Sequence, residues 1–515
     1  MPSVLSVDRD AALPRLDRAD RGESGMNELH ELNIASPTRY ACVACGTPLL
    51  STKHSQLKCP SCHAEQPIIH QIPILVSRPD ALLKFHADNL NTLEHQAADL
   101  ERYLAAHPSA RAHRALLGMR ANLRLTSDYM EPVLDYLSAA GSATPHLNDW
   151  ISSRNAGWAP QEMLPYFVQD WLPSRDFRRI SALIVDALVT YRPDAETLAV
   201  LGAGACGLVN ECAPQFNEVH AIEMSVPTMF IAQGVLAGDC IEVHLSSAGW
   251  RGAKVHGAKS PIRNIKLAVA DANCLPFEPG SLSAVVTQYL MDIVANPLGV
   301  AAEIAAALKP GGIWVNFSIP FPLPGEPKEI SRPALEDLPS LLHPLHFQLI
   351  SGRRDRFTLL DPTEIDAGAA CMNDEVYFFV ARKTQAHGGS PTNREKRFNW
   401  QSVPRSVPGR EVNVIRRSVP TSAQPSEQLE ISVGSSQAFT VGADEADLVS
   451  DILSLFDGKR TVQEIFDALQ ATRYRLNPAD FKELLFYLTE RHGILTTSPQ
   501  ENPAHAGDSA TLLSR

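Results

Sequence analysis

Four cysteines form the clearest chemical pattern in the sequence. Cys42 and Cys45 make one Cys-x2-Cys pair and Cys59 and Cys62 make a second, with 13 residues between the pairs. A tight turn in each pair directs both sulfurs toward one point, so the two pairs together can complete a tetrahedron. Four thiolates leave no position for a water molecule, and we therefore predict a structural Zn²⁺ site rather than a catalytic one.

A glycine-rich turn marks a second candidate site. Residues 197–201 indicate a buried parallel strand, and Gly202-Ala203-Gly204-Ala205-Cys206-Gly207 leads from it into a helix. Glycines let a ligand approach the backbone beside a helix N-terminus. The next predicted strand, 218–222, is followed by Glu223, whose carboxylate can accept hydrogen bonds from both hydroxyls of a ribose. These features suit a dinucleotide as well as S-adenosylmethionine.

Two later segments separate these alternatives. Residues 265–270 predict a third strand, and the following run Asp271-Ala272-Asn273-Cys274-Leu275-Pro276-Phe277 offers a polar pair to an adenine edge and an apolar wall to its face. Residues 283–287 predict a fourth strand, and Lys309-Pro310-Gly311-Gly312 turns into the next one at 313–316. The whole series resembles class I S-adenosylmethionine-dependent methyltransferases. A dehydrogenase with the same first loop is not expected to repeat it.

The resemblance implies a fold and a cofactor. The implied fold class is α/β, with a class I (Rossmann-like) methyltransferase sheet that carries helices on both faces. One departure concerns the glycine loop, because the family pattern is Gly-x-Gly-x-Gly and its third position is Cys206 here, with Gly207 one residue late. The implied cofactor-binding residues are Gly202 and Gly204 for the methionine part of S-adenosylmethionine, Glu223 for its ribose, and Asp271 with Asn273 for its adenine.

Across residues 125–383 the sequence resembles the carnosine N-methyltransferase family more narrowly. This resemblance rests on Gln169-Asp170-Trp171, on the run Val286–Asn296 and on Gly311-Gly312-Ile313-Trp314-Val315-Asn316. The family carries an aromatic, aspartate and asparagine series at the positions of Tyr289, Asp292 and Asn296. It therefore implies that Asp292 faces the methyl acceptor and that Tyr289 helps to place it, and we take both as the candidate catalytic residues.

The chemistry of methyl transfer is compatible with a carboxylate at Asp292. The reaction is an in-line displacement from a sulfonium, so alignment and an available lone pair supply most of the catalysis. For an imidazole acceptor, a carboxylate that takes the N–H of one nitrogen leaves the lone pair of the other nitrogen free. For other N–H or O–H acceptors it can act as a general base. The alternative is that Asp292 caps a helix that begins near Ile293.

Two departures concern the acceptor half of the site. Family members that methylate carnosine bring a histidine into the pocket after the Trp-x-Asn segment, whereas residues 317–323 contain none here. A tyrosine-rich run is expected before the last strand, and Cys371-Met372-Asn373-Asp374-Glu375-Val376-Tyr377 stands in its place. The cofactor half is therefore kept better than the acceptor half, and we do not expect carnosine itself to be the substrate.

The C-terminal region resembles the small winged-helix-like domain of the PqqD type, which binds leader peptides of ribosomally made peptides. Its pattern is a helix over 448–455, a second helix opened by Thr461 with Glu464 as a capping box, a third over 478–491, and a closing strand at Gly493-Ile494-Leu495. Winged helices also serve as dimerisation or DNA-binding modules. Docking of a peptide or protein is favoured because the charges of this region are mixed.

Composition limits the remaining alternatives. The 515 residues are 44% hydrophobic and 20% charged with a net charge of −12, which predicts about three domains and disfavours a nucleic-acid-coating protein. Two stretches are nevertheless basic: Trp250–Lys266 has five basic residues and no acid, and 383–420 has eight basic and two acidic ones. We interpret the first as a solvated loop or an anionic-substrate contact, and the second as a linker or docking motif.

Neither a membrane span nor a secretory signal is visible. No apolar run approaches the roughly 20 residues that cross a bilayer, and residues 1–25 carry both signs of charge without an apolar core. An odd number of cysteines without a signal favours a reducing, cytoplasmic location.

Local composition and motifs divide the chain into seven predicted segments. These are a disordered lead-in (1–37), a zinc ribbon (38–76), a helical segment (79–144), the methyltransferase domain (145–383), a basic Pro- and Ser-rich linker (384–430), a PqqD-like winged-helix domain (431–497) and a tail (498–515).

These observations predict a cytoplasmic, S-adenosylmethionine-dependent methyltransferase. Its favoured acceptor is a nitrogen atom on a peptide or an amino-acid-derived small molecule. An imidazole-like group is one candidate for this acceptor. One alternative is an RNA base methyltransferase, which the basic stretches favour and the acidic total opposes. A second alternative is a non-catalytic adaptor with a degenerate core, for which Cys206 is the argument. Nucleic acid is thus the less favoured partner, and no membrane partner is expected.

Overall fold

The computed structural model describes most of the chain between the ribbon and the C-terminal region. The lead-in predicted over 1–37 and residues 499–515 of the predicted tail lie outside the described residues. The described ranges are 40–52, 56–140, 160–172, 175–246, 249–260, 263–294, 297–321, 332–359, 372–384, 400–406, 412–419, 426–433, 436–442, 451–471, 481, 485 and 495–498.

The cysteine-rich segment forms four short strands. Neighbouring strands pair antiparallel, and the two Cys-x2-Cys turns precede the first strand and separate the second from the third. The fourth strand does not end the module, because it pairs in parallel with a strand of the central sheet. The ribbon and the central sheet are therefore continuous. The ribbon strands are β1 (Leu50–Ser51), β2 (Gln56–Lys58), β3 (Glu65–Ile69) and β4 (Ile72–Leu75).

Two long helices follow the ribbon, α1 (Pro79–Ala106) and α2 (Ala110–Ala140). The prediction of a helical segment here is correct, and the break between the helices falls at Pro108, which disfavours helical backbone at the residue before it. Met130 and Val133 of α2 are fully buried in one cluster with residues of α1, β4 and a helix of the central domain. The helical pair is thus anchored to the sheet at one end.

Within the described residues, eleven strands form one sheet, of which seven belong to the central domain. Their spatial order is β9-β6-β5-β10-β11-β13-β12, and all run parallel except β13. The four strands predicted from the sequence at 197–201, 218–222, 265–270 and 283–287 are all present. The seven strands are β5 (Thr197–Leu201), β6 (Glu218–Glu223), β9 (Ile265–Ala270), β10 (Leu282–Gln288), β11 (Leu308–Ser318), β12 (Phe347–Leu359) and β13 (Met372–Lys383). Two further strands, β7 (Cys240–Leu245) and β8 (Arg251–His256), form a separate hairpin.

Helices cover both faces of this sheet, as the predicted fold class requires. One buried cluster includes Phe167 and Ile184 from helices on one face, and a second includes Ile304 and Leu342 from helices on the other. Each face therefore has its own apolar core. The helices are α3 (Pro160–Trp171), α4 (Arg175–Tyr191), α5 (Gly207–Cys212), α6 (Val226–Leu236), α7 (Pro297–Ala307) and α8 (Leu338–Leu342).

The basic insertion between the second and third parallel strands differs from the predicted solvated loop. Its residues 251–256 form β8, which pairs antiparallel with β7 in a hairpin. Ala253 and Val255 are buried in the core, while Gly252 and Lys254 are exposed. This alternation of buried and exposed residues is what a strand with one covered face requires. The charged residues around it make the alternation hard to recognise in the sequence.

The C-terminal region begins earlier than predicted. The predicted linker 384–430 contains strands, and β14 within it pairs with β18, which begins at Leu495, the last residue of the predicted closing strand Gly493-Ile494-Leu495. Valines and an isoleucine in residues 412–419 favour extended backbone despite the intervening arginines. The prediction of a linker was therefore wrong for this part of the stretch. The strands are β14 (Val403–Ser406), β15 (Val412–Val419), β16 (Ser426–Val433), β17 (Ser436–Gly442) and β18 (Leu495–Ser498).

The predicted capping box of the C-terminal region is present. Helix α9 (Val462–Gln470) begins after Thr461, whose Oγ1 accepts a hydrogen bond from the Glu464 N–H at 3.2 Å, while the Glu464 carboxylate accepts the Thr461 N–H. The Trp400 ring packs against Phe466 and Phe481. These contacts join the start and the helices of the region into one core.

Among the described residues, no helix is both long and apolar enough to cross a membrane.

Candidate functional site

The candidate site lies at the carboxyl edge of the central sheet, where β5 and β10 are neighbours. The chain leaves β5 toward β6 on one side and leaves β10 toward β11 on the other. Ligands of open α/β sheets bind at such a reversal of strand order, outside the carboxyl ends of the strands. The residues that stand there are the glycine loop after β5 and the segment 289–294 after β10.

The glycine loop has left-handed backbone at every second residue. The φ angles are +65° at Gly202, +51° at Gly204 and +63° at Cys206. Glycine adopts this conformation without strain, whereas other residues do so at a cost of roughly 1–2 kcal/mol. Cys206, at the third position of the family's glycine pattern, therefore has a backbone conformation that favours glycine, although it carries a buried side chain.

The open side of the loop suits a ligand. A Cβ atom at Gly204 would meet only the carbonyl oxygen of Gly202, at 4.0 Å. At Gly202 a Cβ would lie 3.1 Å from Cδ1 of Leu290, so the segment after β10 packs directly on the loop. The structure thus brings the predicted methionine-binding residues beside the predicted acceptor segment.

Helix α3 holds the far end of the loop. The Gly207 N–H donates to Oδ2 of Asp170 at 3.1 Å, and the indole N–H of Trp171 donates to the carbonyl oxygen of Ala205 at 2.8 Å. A Cβ at Gly207 would lie only 2.5 Å from Cβ of Asp170. Gly207 is therefore required by this packing, and the Gln169-Asp170-Trp171 motif, used above only as a resemblance, supports the loop.

Burial sets the electrostatics of Asp170. Removal from water raises the pKa of Asp170 to about 7, against the smaller lowering effect of the hydrogen bond from Gly207. The sequence offered no signal for this property, because it arises from packing of α3 against α5. A carboxyl group that titrates near neutral pH thus lies directly under the glycine loop.

Glu223 also belongs to the scaffold of the loop. Its Oε2 accepts the N–H of Gly204 at 3.0 Å, and its Oε1 accepts the N–H groups of Met224 and Ser225 at 2.8 and 2.9 Å. Burial raises the pKa of Glu223, and the three backbone hydrogen bonds oppose this shift. A carboxylate offers about four lone-pair positions. The residue predicted to bind ribose therefore also ties the end of β6 to the glycine loop.

Asp271 and Asn273 form a closed turn after β9. Oδ1 of Asp271 accepts both the backbone N–H and the side-chain N–H of Asn273, each at 3.0 Å. Both side chains are partly exposed. Below them, the N–H of Leu275 donates to Oε2 of the buried Glu303 at 3.1 Å. The predicted polar pair is thus preorganised at the surface of a loop that is anchored from beneath.

The ribbon holds this second loop from the other side. The N–H of Ala41 donates to the carbonyl oxygen of Pro276 at 2.9 Å, and the Cys274 thiol donates to the carbonyl oxygen of Val43 at 3.2 Å. Val43 lies within the first Cys-x2-Cys turn. The ribbon therefore contacts the loop predicted to bind adenine, a relation that the sequence could not show.

A buried polar chain adds to this contact. The hydroxyl of Tyr40 bonds to Nδ1 of His220 at 3.0 Å, and Nε2 of His220 bonds to Oε1 of Glu218 at 2.6 Å. Burial, together with the charge of Glu218, raises the pKa of Tyr40. The rings of Tyr40 and Phe277 lie 6.0 Å apart. Tyr40 thus links the ribbon to β6 and to the end of the Asp271–Phe277 loop.

The acceptor segment has an unusual backbone at Tyr289. Its φ angle of +47° is left-handed, and its N–H donates to the carbonyl oxygen of Phe317 at 2.8 Å. The two rings meet edge to face with centroids 5.4 Å apart. Strained backbone of this kind is concentrated at functional sites.

Asp292 does not cap a helix. The N–H groups of Ile293 and Val294 bond to the carbonyl oxygen of Leu290 in a turn, and α7 begins only at Pro297. The capping alternative is therefore wrong, because the chain turns before the helix starts. Asp292 is partly exposed and Ile293 is 56% exposed. Asn296, the third member of the predicted series, lies outside the described residues.

The Trp-x-Asn motif supports the end of β10. The indole N–H of Trp314 donates to Oγ1 of Thr287 at 2.9 Å, and that hydroxyl donates to Oδ1 of Asn316 at 2.8 Å. All three side chains are buried. The motif therefore acts as a buried polar network two residues before Tyr289, rather than as part of the acceptor surface.

The four predicted metal ligands converge. The sulfur atoms of Cys42, Cys45, Cys59 and Cys62 all lie within 4.8 Å of one another, and the pairs Cys42–Cys62 and Cys45–Cys59 are 3.6 and 3.4 Å apart. A tetrahedral zinc with bonds of about 2.3 Å places its sulfurs roughly 3.8 Å apart. The donor set and its spacing therefore fit a structural zinc ion.

One sequence family and several solved structures are similar to parts of the chain. The sequence family described as a methyltransferase domain matches residues 200–316. A search of curated proteins gives no match. Similar solved structures include the YcgJ protein from Bacillus subtilis (12% identity, 41% of this chain and 100% of that chain, TM-score 0.29) and phosphoethanolamine N-methyltransferase 2 from Haemonchus contortus with phosphomonomethylethanolamine and S-adenosylhomocysteine (15% identity, 47% of this chain and 61% of that chain, TM-score 0.31).

The class of protein follows from the family match and the sheet. Both structural similarities have TM-scores well below 0.5, so the assignment rests on the matched residues and on the strand order around the glycine loop. Residues 200–316 match a methyltransferase domain, and the strand order is consistent with a Rossmann-like class I methyltransferase fold. The family match favours a methyltransferase over a dehydrogenase for the glycine loop.

Proposed function

We propose that the chain transfers a methyl group from S-adenosylmethionine to a nitrogen acceptor, imidazole-like in its simplest version, on a peptide or amino-acid-derived molecule. The observation that carries this proposal is the position of the segment after β10. Tyr289 and Asp292 flank Leu290, which packs on Gly202 of the glycine loop. This closeness of Leu290 to the loop supports a role for the nearby Asp292 carboxylate at the reactive end of the cofactor.

The cofactor-binding residues are assigned by their places along the strand ends. Gly202 and Gly204 would receive the methionine part, because a ligand can approach their backbone closely. Glu223 would bind the ribose with the acceptor capacity that its three backbone hydrogen bonds leave. Asp271 and Asn273 would bind the adenine, since their turn faces the same edge of the sheet.

In this reading the residues after β10 orient the acceptor. Bound S-adenosylmethionine supplies an electrophilic methyl group. Asp292 would accept the N–H on one ring nitrogen of an imidazole, so that the lone pair of the other nitrogen points at the methyl carbon. Tyr289, held by its bond to Phe317, would limit the orientations of the acceptor. The methylated ring would then be a cation, and the Asp292 carboxylate would take the proton of its remaining N–H to leave a neutral product.

The ribbon and the C-terminal region would serve the reaction indirectly. Cys42, Cys45, Cys59 and Cys62 would bind one structural Zn²⁺, which fixes the turn that contacts the Asp271–Phe277 loop. The C-terminal region would dock a peptide or protein, in keeping with its resemblance to the PqqD type. The described core around Trp400 and α9 is compatible with a separately folded docking module.

The test is transfer of labelled methyl groups from S-adenosylmethionine to a cell extract divided into small-molecule, peptide and RNA fractions. Label in the small-molecule or peptide fraction is expected, and label in RNA alone would replace the proposal by the RNA base alternative. Loss of all cofactor binding by calorimetry would favour the non-catalytic adaptor.

Asp292→Asn tests the acceptor site separately. This variant should reduce turnover by about 10²- to 10⁴-fold, the usual range for a positioned acid or base, while the Kd for S-adenosylmethionine stays within twofold. Asp186→Asn, on the exposed side of α4, is the matched control. Wild-type turnover of Asp292→Asn would remove Asp292 from the mechanism.

A further inference from the structure

Two basic stretches stand out in a chain whose net charge is −12. Residues 102–127 contain five arginines, two histidines and no acidic residue. Residues 243–270 contain five lysines and arginines and again no acidic residue. They are separated by more than a hundred positions and belong to different elements, the tip of the α1–α2 helical pair and the β7–β8 hairpin.

Specific contacts bring these stretches together. The side chain of Asn122 in α2 donates to the carbonyl oxygen of His244 and accepts its N–H, both at 2.8 Å. One turn earlier, Gly118 is so close to Trp250 that a Cβ would lie 2.6 Å from the indole ring. The first turns of α2 therefore lie against the connecting end of the hairpin.

The basic side chains next to this junction point outward. Arg111 and Arg114 precede Gly118 by seven and four residues, which places them on the same side of α2 and closer to the tip. Both are exposed. Arg251 follows Trp250 directly, and Lys254 lies three residues further along β8. We call Arg111, Arg114, Arg251 and Lys254 the basic surface.

Nearby acidic groups do not neutralise this surface. Asp99 and Glu101 of α1 are paired with Arg102 and Arg120. Glu242 is the neighbouring exposed acid, opposite Lys254 in the hairpin register. Within the described residues, Arg111, Arg114 and Lys254 make no ion pair. The surface thus keeps a net positive charge after its neighbours are counted.

Exposed rings accompany the arginines at the helical tip. Tyr103 is 56% exposed, and its ring stacks on that of His107 with centroids 4.6 Å apart and planes 17° apart. Guanidinium groups match the geometry of phosphates, and exposed aromatic faces stack with unpaired bases. An acidic peptide would use the charges but not the rings, so this combination favours a nucleic acid.

The surface and the candidate reaction site are formed by different residues. The surface lies on α2 and the β7–β8 hairpin, whereas the site lies on the loops after β5 and β10. We therefore treat the surface as a docking site.

We propose that the basic surface binds the backbone of a single-stranded nucleic acid. The proposal does not depend on which atom is methylated, because RNA binding is measured without S-adenosylmethionine. The full-length protein is titrated into a labelled single-stranded RNA of about 20 nucleotides, between roughly 50 and 200 mM salt, the range over which phosphate contacts weaken. Binding that falls steeply with salt is expected.

Paired charge reversals locate the binding. Arg111→Glu with Arg114→Glu, and separately Arg251→Glu with Lys254→Glu, should each weaken binding at least tenfold and lower the salt slope by about 1.4, because each phosphate contact on a single strand contributes about 0.7. Arg178→Glu with Arg356→Glu changes the same charge at exposed sites elsewhere and should stay within twofold of the wild type. Circular dichroism shows that each variant is folded.

Three outcomes would overturn the proposal. They are the absence of RNA binding at low salt, an equal loss in the control pair, and competition by polyglutamate as strong as that by unlabelled RNA. The last would assign the surface to acidic peptides. None of these outcomes bears on methyl transfer, which is measured by the labelling experiment.

Discussion

The glycine loop and the Asp271–Phe277 loop lie at the same edge of the sheet, but different parts of the chain hold them in place. Asp170 and Trp171 of α3 hold the glycine loop from within the helical layer. Ala41 and Val43 of the ribbon hold the second loop. Both supports precede residues 200–316, the part that matches the methyltransferase domain family.

The difference teaches that the two halves of the predicted cofactor site depend on different kinds of stability. The first support is a packed helix, and its strength follows from burial. The second is a small ribbon, whose stability we expect to depend on the zinc ion proposed at its four cysteines. Perturbing one support should therefore leave the other half largely intact.

The largest effect is expected from loss of the ribbon metal. Cys45→Ser combined with Cys62→Ser removes two of four ligands, so the ribbon should unfold locally and the Kd for S-adenosylmethionine should rise at least tenfold. Metal analysis should fall from about one zinc per chain to none. Cys240→Ser, an exposed cysteine outside the ribbon, is the control. Unchanged affinity in the double variant would show that the second loop does not need the ribbon.

A smaller effect should follow from filling the space between Gly207 and Asp170. In Gly207→Ala the added methyl group meets Cβ of Asp170 at 2.5 Å, and such overpacking typically costs about 1–3 kcal/mol. Thermal and urea unfolding measure this loss of stability. Gly204→Ala has open space at Cβ but left-handed backbone, so it should lose roughly 1–2 kcal/mol of stability through strain and should weaken cofactor binding more than Gly207→Ala does. The reverse ranking would contradict the division of roles between the two glycines.

The pH dependence of stability tests Asp170. Because its pKa is raised to about 7, the folded state holds a proton between about pH 4 and 7 that the unfolded state has released. The contribution of Asp170 to stability is therefore full below pH 4 and is lost as the pH rises toward 7. Between pH 5 and 8, wild type should lose of the order of 2–3 kcal/mol relative to Asp170→Asn. Parallel curves for the two proteins would refute the shifted pKa.

The smallest effect is expected from Tyr40→Phe. The variant leaves Nδ1 of the buried His220 without the hydroxyl, a loss that usually costs about 1–2 kcal/mol. Urea unfolding should show this change, and the Kd for S-adenosylmethionine should rise two- to fivefold if ribbon docking and the second loop are coupled. Tyr103→Phe, at an exposed position, is the control. A stability loss without any change in Kd would separate docking from cofactor binding.

Sequence patterns predicted the parts that depend on local spacing. The four central strands, the turn of the glycine loop and the convergence of the cysteine pairs follow from apolar runs and from residues with special backbone preferences. The same kind of reasoning failed for the strands Val403–Ser406 and Val412–Val419, because arginines, serines and prolines outweighed the apolar residues that form them. It also left open whether Asp292 caps a helix, an alternative that the turn at Leu290–Val294 and the start of α7 at Pro297 exclude.

The sequence by itself determined the class of domain, the order of its strands along the chain and the four cysteines that converge in the ribbon, since these follow from short motifs with local physical causes. Only the tertiary structure decided that β4 of the ribbon joins the central sheet, that Asp170 titrates near neutral pH, and that Gly118 and Trp250 bring two basic stretches together. Each of these depends on contacts between segments far apart in the chain. Packing creates such contacts, and residue spacing along the chain does not record them.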